Sequence, residues 1–186
     1  MELLKVLDEN GQETGEIVDR EVIHQKGLWH REVEIWIFND KGKILLQRRS
    51  KNKKQLPNKL ATCAGHVEST KTSLETAIIE LFEEIGLSVN QKDLVFLKTF
   101  KKELIFGPKS INRIFDDNYF VITNKNINEF KIQEEELSEV FWIDYSEFKK
   151  RLTNHDEEII YNYENMVKNG TLDILDDLYQ KIINGK

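Results

Sequence analysis

The chain has 186 residues, enough for one well-packed domain and short for two. Its 39% hydrophobic and 32% charged residues suit a globular chain rather than a disordered one. A net charge of −6 removes the bulk attraction on which nucleic-acid binding rests, and the single cysteine, Cys63, rules out an internal disulfide framework.

No apolar run approaches the roughly 20 residues a membrane helix needs. The opening MELLKVLDENGQ carries acids where a secretion signal would be basic and then apolar, so a cytoplasmic protein is expected. Leu3 to Leu7 reads as a short strand ending in the turn Asp8-Glu9-Asn10-Gly11. Val33, Ile35 and Ile37 alternate with Glu34, Trp36 and Phe38, the pattern of a strand buried on both faces. Asn39 to Gly42 is a hairpin turn signal, and Lys43 to Arg48 is the return strand. The basic run Arg48 to Lys54 follows; it suits a solvated loop, or a phosphate-holding loop if an acidic site lies nearby.

The spacing predicts a helix over residues 73 to 85. Thr72 and Glu75 have the form of a capping box, Leu74, Ala77, Ile78, Leu81 and Ile85 form an apolar stripe, and Gly86 stands where a left-handed cap is wanted. Further strands are expected in Leu94 to Phe106, Asn118 to Thr123 and Glu139 to Asp144. The tail favours helices over Tyr145 to Leu152, Glu157 to Lys168 and Leu172 to Ile183, with Asn169-Gly170 as a stop. The fold class is α/β with a helical C-terminal extension: a core of about residues 1 to 145, then about 146 to 186, in a single domain.

Chemistry concentrates on that first helix. Glu80, Glu83 and Glu84 share a narrow arc, where like charges repel. A solvated acidic face has the same appearance, but a hard dication such as Mg²⁺ or Mn²⁺ would relieve the repulsion and bridge to substrate phosphates.

The segment GHVESTKTSLETAIIELFEEIGL resembles the Nudix box, G-x5-E-x7-R-E-U-x-E-E-x-G-U, with U an aliphatic residue. Gly65, Glu80, Leu81, Glu83, Glu84, Gly86 and Leu87 match it. The resemblance implies a loop–helix–loop on an α/β/α sandwich with a mixed sheet. It further implies that the box acids bind divalent metal or orient the attacking water, with the Gly65 carbonyl joining them. Lys71 and Ile79 depart from the pattern, replacing a glutamate and an arginine that help hold the box in the family.

Upstream, DENGQETGEIVDREVIHQKGLWHREVEIWIFNDKGKILLQRRS extends the resemblance over roughly residues 1 to 145. It is similar to a Nudix branch related to isopentenyl-diphosphate isomerase, whose members are mostly described as probable hydrolases. The isomerase uses upstream histidines, a Cys-Gly-His tripeptide and acids near a later strand. Here His24, His30 and Gly65-His66 are present, but Ala64 precedes Gly65. Cys63 lies one place earlier, a shift that turns a strand side chain to the opposite face. Ile114 stands where the branch places a glutamate, with Asp116 and Asp117 as shorter substitutes.

His24, His30 and His66 can converge on a metal, although a hydrogen-bonded structural histidine is the more frequent outcome for each. Cys63 reads as a packed thiol, and Trp29, Trp36 and Phe115 as core.

The expected function is Mg²⁺- or Mn²⁺-dependent hydrolysis of a diphosphate linkage in a nucleoside diphosphate derivative or similar small molecule. Glu80, Glu83 and Glu84 are the catalytic candidates, with Gly65 as an added metal ligand; Arg49, Lys53 and His66 are candidates for substrate. An isomerase-like enzyme and a diphosphate-binding module without turnover are the alternatives. The expected partner is a small-molecule substrate, not a nucleic-acid polymer or a membrane, and the helical tail can close a homodimer.

Overall fold

A computed structural model of the chain describes residues 2–185. Strands β1 (Leu3–Leu7) and β2 (Glu13–Asp19) form an antiparallel hairpin. Its turn is closed by the Asp8 carboxylate, which accepts from the amides of Asn10 and Gln12 at 2.8 and 2.9 Å. Asp19 then caps a short helix, α1 (Arg20–Lys26), by accepting from the Glu21 amide. Neither β2 nor α1 is among the elements expected from the sequence.

Strand β3 (Trp29–Phe38) is the axis of the molecule. It runs parallel to β8 (Ser110–Ile122) along its whole length and antiparallel to β6 (Cys63–His66), where Val33 faces Gly65. β4 (Lys43–Arg49) returns from the Asn39–Gly42 turn and pairs with the short β5 (Leu60–Ala61) and with β9 (Leu137–Asp144). β7 (Val95–Gly107) is the outer arm of a long hairpin with β8. The sheet is therefore mixed.

Alternation along β3 explains the layers. Val33, Ile35 and Ile37 point to one side and pack with Ala77, Leu81 and Ile85 of α2 (Ser73–Ile85). Trp36 and Phe38 point to the other side and pack with Tyr145, Phe148 and Leu152 of α3 (Tyr145–Thr153), Met166 of α4 (Tyr163–Asn169), and Leu172 and Leu175 of α5 (Thr171–Ile183). Helices on both faces of one sheet make the expected α/β/α sandwich. Among the described residues, no helix is long and apolar enough to cross a membrane.

Two elements differ from expectation. β8 begins at Ser110 rather than Asn118, because its polar residues find partners across the sheet. The Asn112 amide donates to Glu32 at 2.9 Å, and Asn118 accepts from the Trp36 indole at 2.8 Å. Such pairing overrides the poor strand propensity of Asn and Asp. The helix expected over 157 to 168 is confined to Tyr163–Asn169. Before it, Glu157 and Glu158 lie in a turn and Ile159 bridges Leu60 in parallel; the Leu60 amide donates to the Glu158 carbonyl at 2.7 Å, and Ile160 donates back to Leu60.

Candidate active site

Helix α2 is fixed at both ends. Its capping box is complete: the Thr72 hydroxyl accepts from the Glu75 amide, and the Glu75 carboxylate accepts from the Thr72 amide at 2.8 Å. Ser73 donates to Asp117, which also holds Arg31 at 2.9 Å and takes a hydrogen bond from Thr99. At the far end Gly86 adopts φ 64°, and Lys125 donates to its carbonyl at 2.9 Å. Glu80 and Glu84 are thus presented to β6 by a helix with little freedom to turn.

Gly65 lies directly beneath Glu80, and any side chain at that position would collide with the Glu80 carboxylate. This contact explains a glycine in a strand without positive φ. Burial, then repulsion from Glu84 and Glu83, pushes the Glu80 carboxyl up to about 8. Glu84 is buried and raised for the same first reason, opposed by hydrogen bonds from Cys63 and Gln47. The Gln47 amide donates to it at 2.9 Å. Glu83 stays exposed on the solvent flank of the arc, its charge still bearing on Glu80.

Glu136, not among the candidates from the sequence, adds negative charge beside both Glu80 and Glu84. It sits in the run Glu134-Glu135-Glu136, where no spacing distinguishes one acid from the next. Lys53 is ion-paired to Glu136, and its positive charge reaches Glu84. Arg49 is turned into its own loop, donating to the carbonyls of Leu56 and Gln55 at 3.2 Å each. Lys71, at one departure from the box pattern, pairs with Glu68 at 3.2 Å, and Ile79 is half-buried.

Cys63 faces Ile35 in the register and lies on the α2 side. Burial and the Glu84 charge push its thiol well above the usual range, so it is a packed thiol and not a nucleophile. Ala64 and His66 point the other way.

His66 is therefore not beside Glu80. It joins His24 and His30 on the opposite face of β3 and β6, together with Glu32. The next rung of that face is an ionic cluster: Lys102 pairs with Glu34 at 3.0 Å and with Asp116. Neither Glu32 nor Glu34 is a site candidate in the sequence, where Glu34 figures only within the strand expected to be buried on both faces.

The comparisons with known proteins agree with this architecture. A NUDIX domain model matches residues 28–163. The chain is 34% identical over 156 residues to Nudix hydrolase 3 of Arabidopsis thaliana, covering 81% of this chain and 20% of that protein. It thus spans only a fifth of that relative's length. An uncharacterized Nudix hydrolase of Clostridium acetobutylicum is 29% identical over 157 residues, covering 82% of this chain and 75% of the relative. Isopentenyl-diphosphate isomerases are among the further relatives. In three dimensions, a crystallised protein of Deinococcus radiodurans superposes with a TM-score of 0.59 at 20% identity, over 82% of this chain and 90% of that one. A domain model that runs from the central strand through the box helix into the C-terminal extension, on a sandwich of matching fold, places the chain in the Nudix family.

Proposed function

We propose that the chain is a metal-dependent hydrolase that cleaves a diphosphate linkage in a nucleoside diphosphate derivative or a similar small molecule. One observation carries the reading: Glu80 is seated against Gly65 beside Glu84, where burial and then repulsion from Glu84 and Glu83 push its carboxyl up to about 8. Oxygen donors crowded in this way suit a hard dication, Mg²⁺ or Mn²⁺. Glu80, Glu83 and Glu84 would hold it, with the Gly65 carbonyl on the facing strand. When bound, such an ion polarises a phosphoryl oxygen and makes a water a better nucleophile. The helix supplies fixed carboxylates, Gln47 keeps Glu84 oriented, and whichever glutamate is not engaged with metal is available to take the proton from water.

Lys53 is our candidate for the substrate phosphates, since its ammonium already lies beside the carboxylates and needs only to leave Glu136. Arg49 would have to give up two loop carbonyls to reach a phosphate, so we assign it the shaping of that loop. His66 belongs to the other face of the sheet and is not part of the phosphate site. We take core and helical extension as one folding unit, because Trp36 and Phe38 are covered by the tail.

The test is incubation with Mg²⁺ or Mn²⁺ and a panel of nucleotides and nucleoside diphosphate derivatives, followed by phosphorus NMR. Product should form with the wild-type chain and fall by several orders of magnitude with Glu83→Gln/Glu84→Gln. Full activity in that variant would remove the assignment. Ligand bound without product would instead indicate a binding module. The convergence of three histidines favours an isomerase as the second reading, but its face presents Ala64 where the tripeptide needs a thiol. Double-bond migration in isopentenyl diphosphate, seen by proton NMR, would establish it.

A further inference from the structure

The first turn of α2 is moored to the sheet through one carboxylate. Asp117 stands opposite Val33 in the β3–β8 register, so it faces the box side of the sheet and not the histidine side. It is 5% exposed and accepts hydrogen bonds from three elements. Arg31 Nη1 of β3 lies 2.9 Å from each of its oxygens, the Thr99 hydroxyl of β7 donates to Oδ1, and the Ser73 hydroxyl of α2 donates to Oδ2. These partners offset the cost of burying the charge. Among the described residues, Ser73 is the one side chain in the first two turns of α2 that hydrogen-bonds to the sheet.

The far end of the helix is held through its backbone. The Lys131 amide donates to the Ile85 carbonyl at 3.0 Å, and the Gln133 amide donates to the Glu84 carbonyl at 2.9 Å. Glu80, between the two ends, depends on both. A rigid helix passes any turn at its start to every residue along it. For a carboxylate about 6 Å from the axis, a rotation of about 20° is a shift of about 2 Å. Metal-binding and catalytic side chains need placement to about 0.5 Å. The seats of Glu80 over Gly65 and of Glu84 at Gln47 meet that need only while the helix keeps its angle.

No ion pair along the box supplies this restraint. Lys71 is engaged by Glu68 within the preceding loop, and Ile79 carries no charge. We propose that Asp117, gripping α2 through Ser73, is the positioning residue that keeps Glu80 and Glu84 in place over β6 and β4, where the box lacks its usual glutamate and arginine at positions 71 and 79. Arg31 and Thr99 fix the carboxylate, the carboxylate fixes Ser73, and Ser73 fixes the angle of the helix. The inference rests on the hydrolase reading, since it concerns the placement of the same carboxylates.

The experiment compares the full wild-type chain with Ser73→Ala and Asp117→Asn. Mn²⁺ binding is followed by the EPR signal of the free ion, counting only the binding that Glu83→Gln/Glu84→Gln abolishes. Steady-state hydrolysis uses the panel nucleotide that gives most product. Both variants should melt as cooperatively as wild type, yet bind Mn²⁺ about tenfold more weakly, with kcat falling by a similar factor and KM little changed. Adding Lys71→Glu/Ile79→Arg to Ser73→Ala should restore affinity and kcat. The same pair should restore neither in Gln47→Leu, where the fault lies at the Glu84 carboxylate and not in the helix. Undiminished Mn²⁺ affinity in Ser73→Ala and Asp117→Asn, failure of the charged pair to rescue, or equal rescue of Gln47→Leu would each overturn the proposal while leaving the hydrolase reading intact. A wild-type chain whose Mn²⁺ binding is indifferent to Glu83 and Glu84 would remove the hydrolase reading and the proposal together.

Discussion

Glu80 is the residue on which the site is most exposed to test. Its carboxyl rises from 4.5 to about 8, through burial and then through Glu84 and Glu83. A carboxyl raised on folding binds its proton more tightly in the native state than in the unfolded one. Its contribution is therefore fully present below 4.5 and is lost as pH rises toward 8. Chelator-treated protein should accordingly lose thermal stability across that window, and Glu80→Gln should flatten the slope. Mg²⁺ should restore stability most at the upper end. A wild-type melting series that is flat with pH in chelator would contradict this account. At this scale the sequence was informative where spacing is local. Helix periodicity puts the three box acids on one arc and strand periodicity turns Cys63 to the face opposite Ala64, while Gly65 is placed by the resemblance to the Nudix box. Glu136 and Glu32 cannot be placed in these ways, because a loop and a strand carry them to their sites by tertiary folding. Spacing also does not reveal that Glu83 is exposed while Glu84 is buried beside Gln47.

Among the elements, α2 was legible to the residue, since cap, stripe and left-handed stop are all written within fifteen positions. The capping hydrogen bond can be tested directly. Thr72→Ala removes the hydroxyl that satisfies the Glu75 amide and should lower stability by about 1 kcal/mol in denaturant unfolding. Thr72→Ser should restore most of it, and an unchanged midpoint in Thr72→Ala would show that the box is redundant with the Asp117 anchor. β8 was legible only in its apolar half. Its first part interleaves Asn112, Asp116 and Asp117 with Ile111, Ile114 and Phe115, and the polar residues are accepted in the strand because Glu32, Arg31, Lys102 and Trp36 pair with them and with Asn118. The helix expected from residue 157 fails for a related reason: Leu60 recruits Ile159 into an extended bridge, and Asn162 caps the turn that follows.

For the molecule as a whole, the tail is part of the core. Leu175 is fully buried in the same apolar cluster as Trp36, Phe38 and Phe148, which belong to the central strand and to α3. Leu175→Ala should cost about 2–5 kcal/mol, read as a shift in the urea midpoint with little change in slope. A loss under 1 kcal/mol would mean that the tail packs more loosely than its burial indicates. The sandwich architecture could be anticipated from the resemblance to the Nudix box, and a β3 read as buried on both faces is consistent with it, since such a strand needs cover on both. What the sequence could not show is that the two covers enclose different chemistries. Neighbouring residues on β3 and β6 answer to opposite layers: Val33, Ile35, Cys63 and Gly65 to the box, and His30, Glu32, Ala64 and His66 to the histidines. The two sides can therefore drift independently. Conservative changes at the odd positions other than Gly65 meet only the box layer, so a new activity could be selected on one side of the strand while the side chains of the other are inherited.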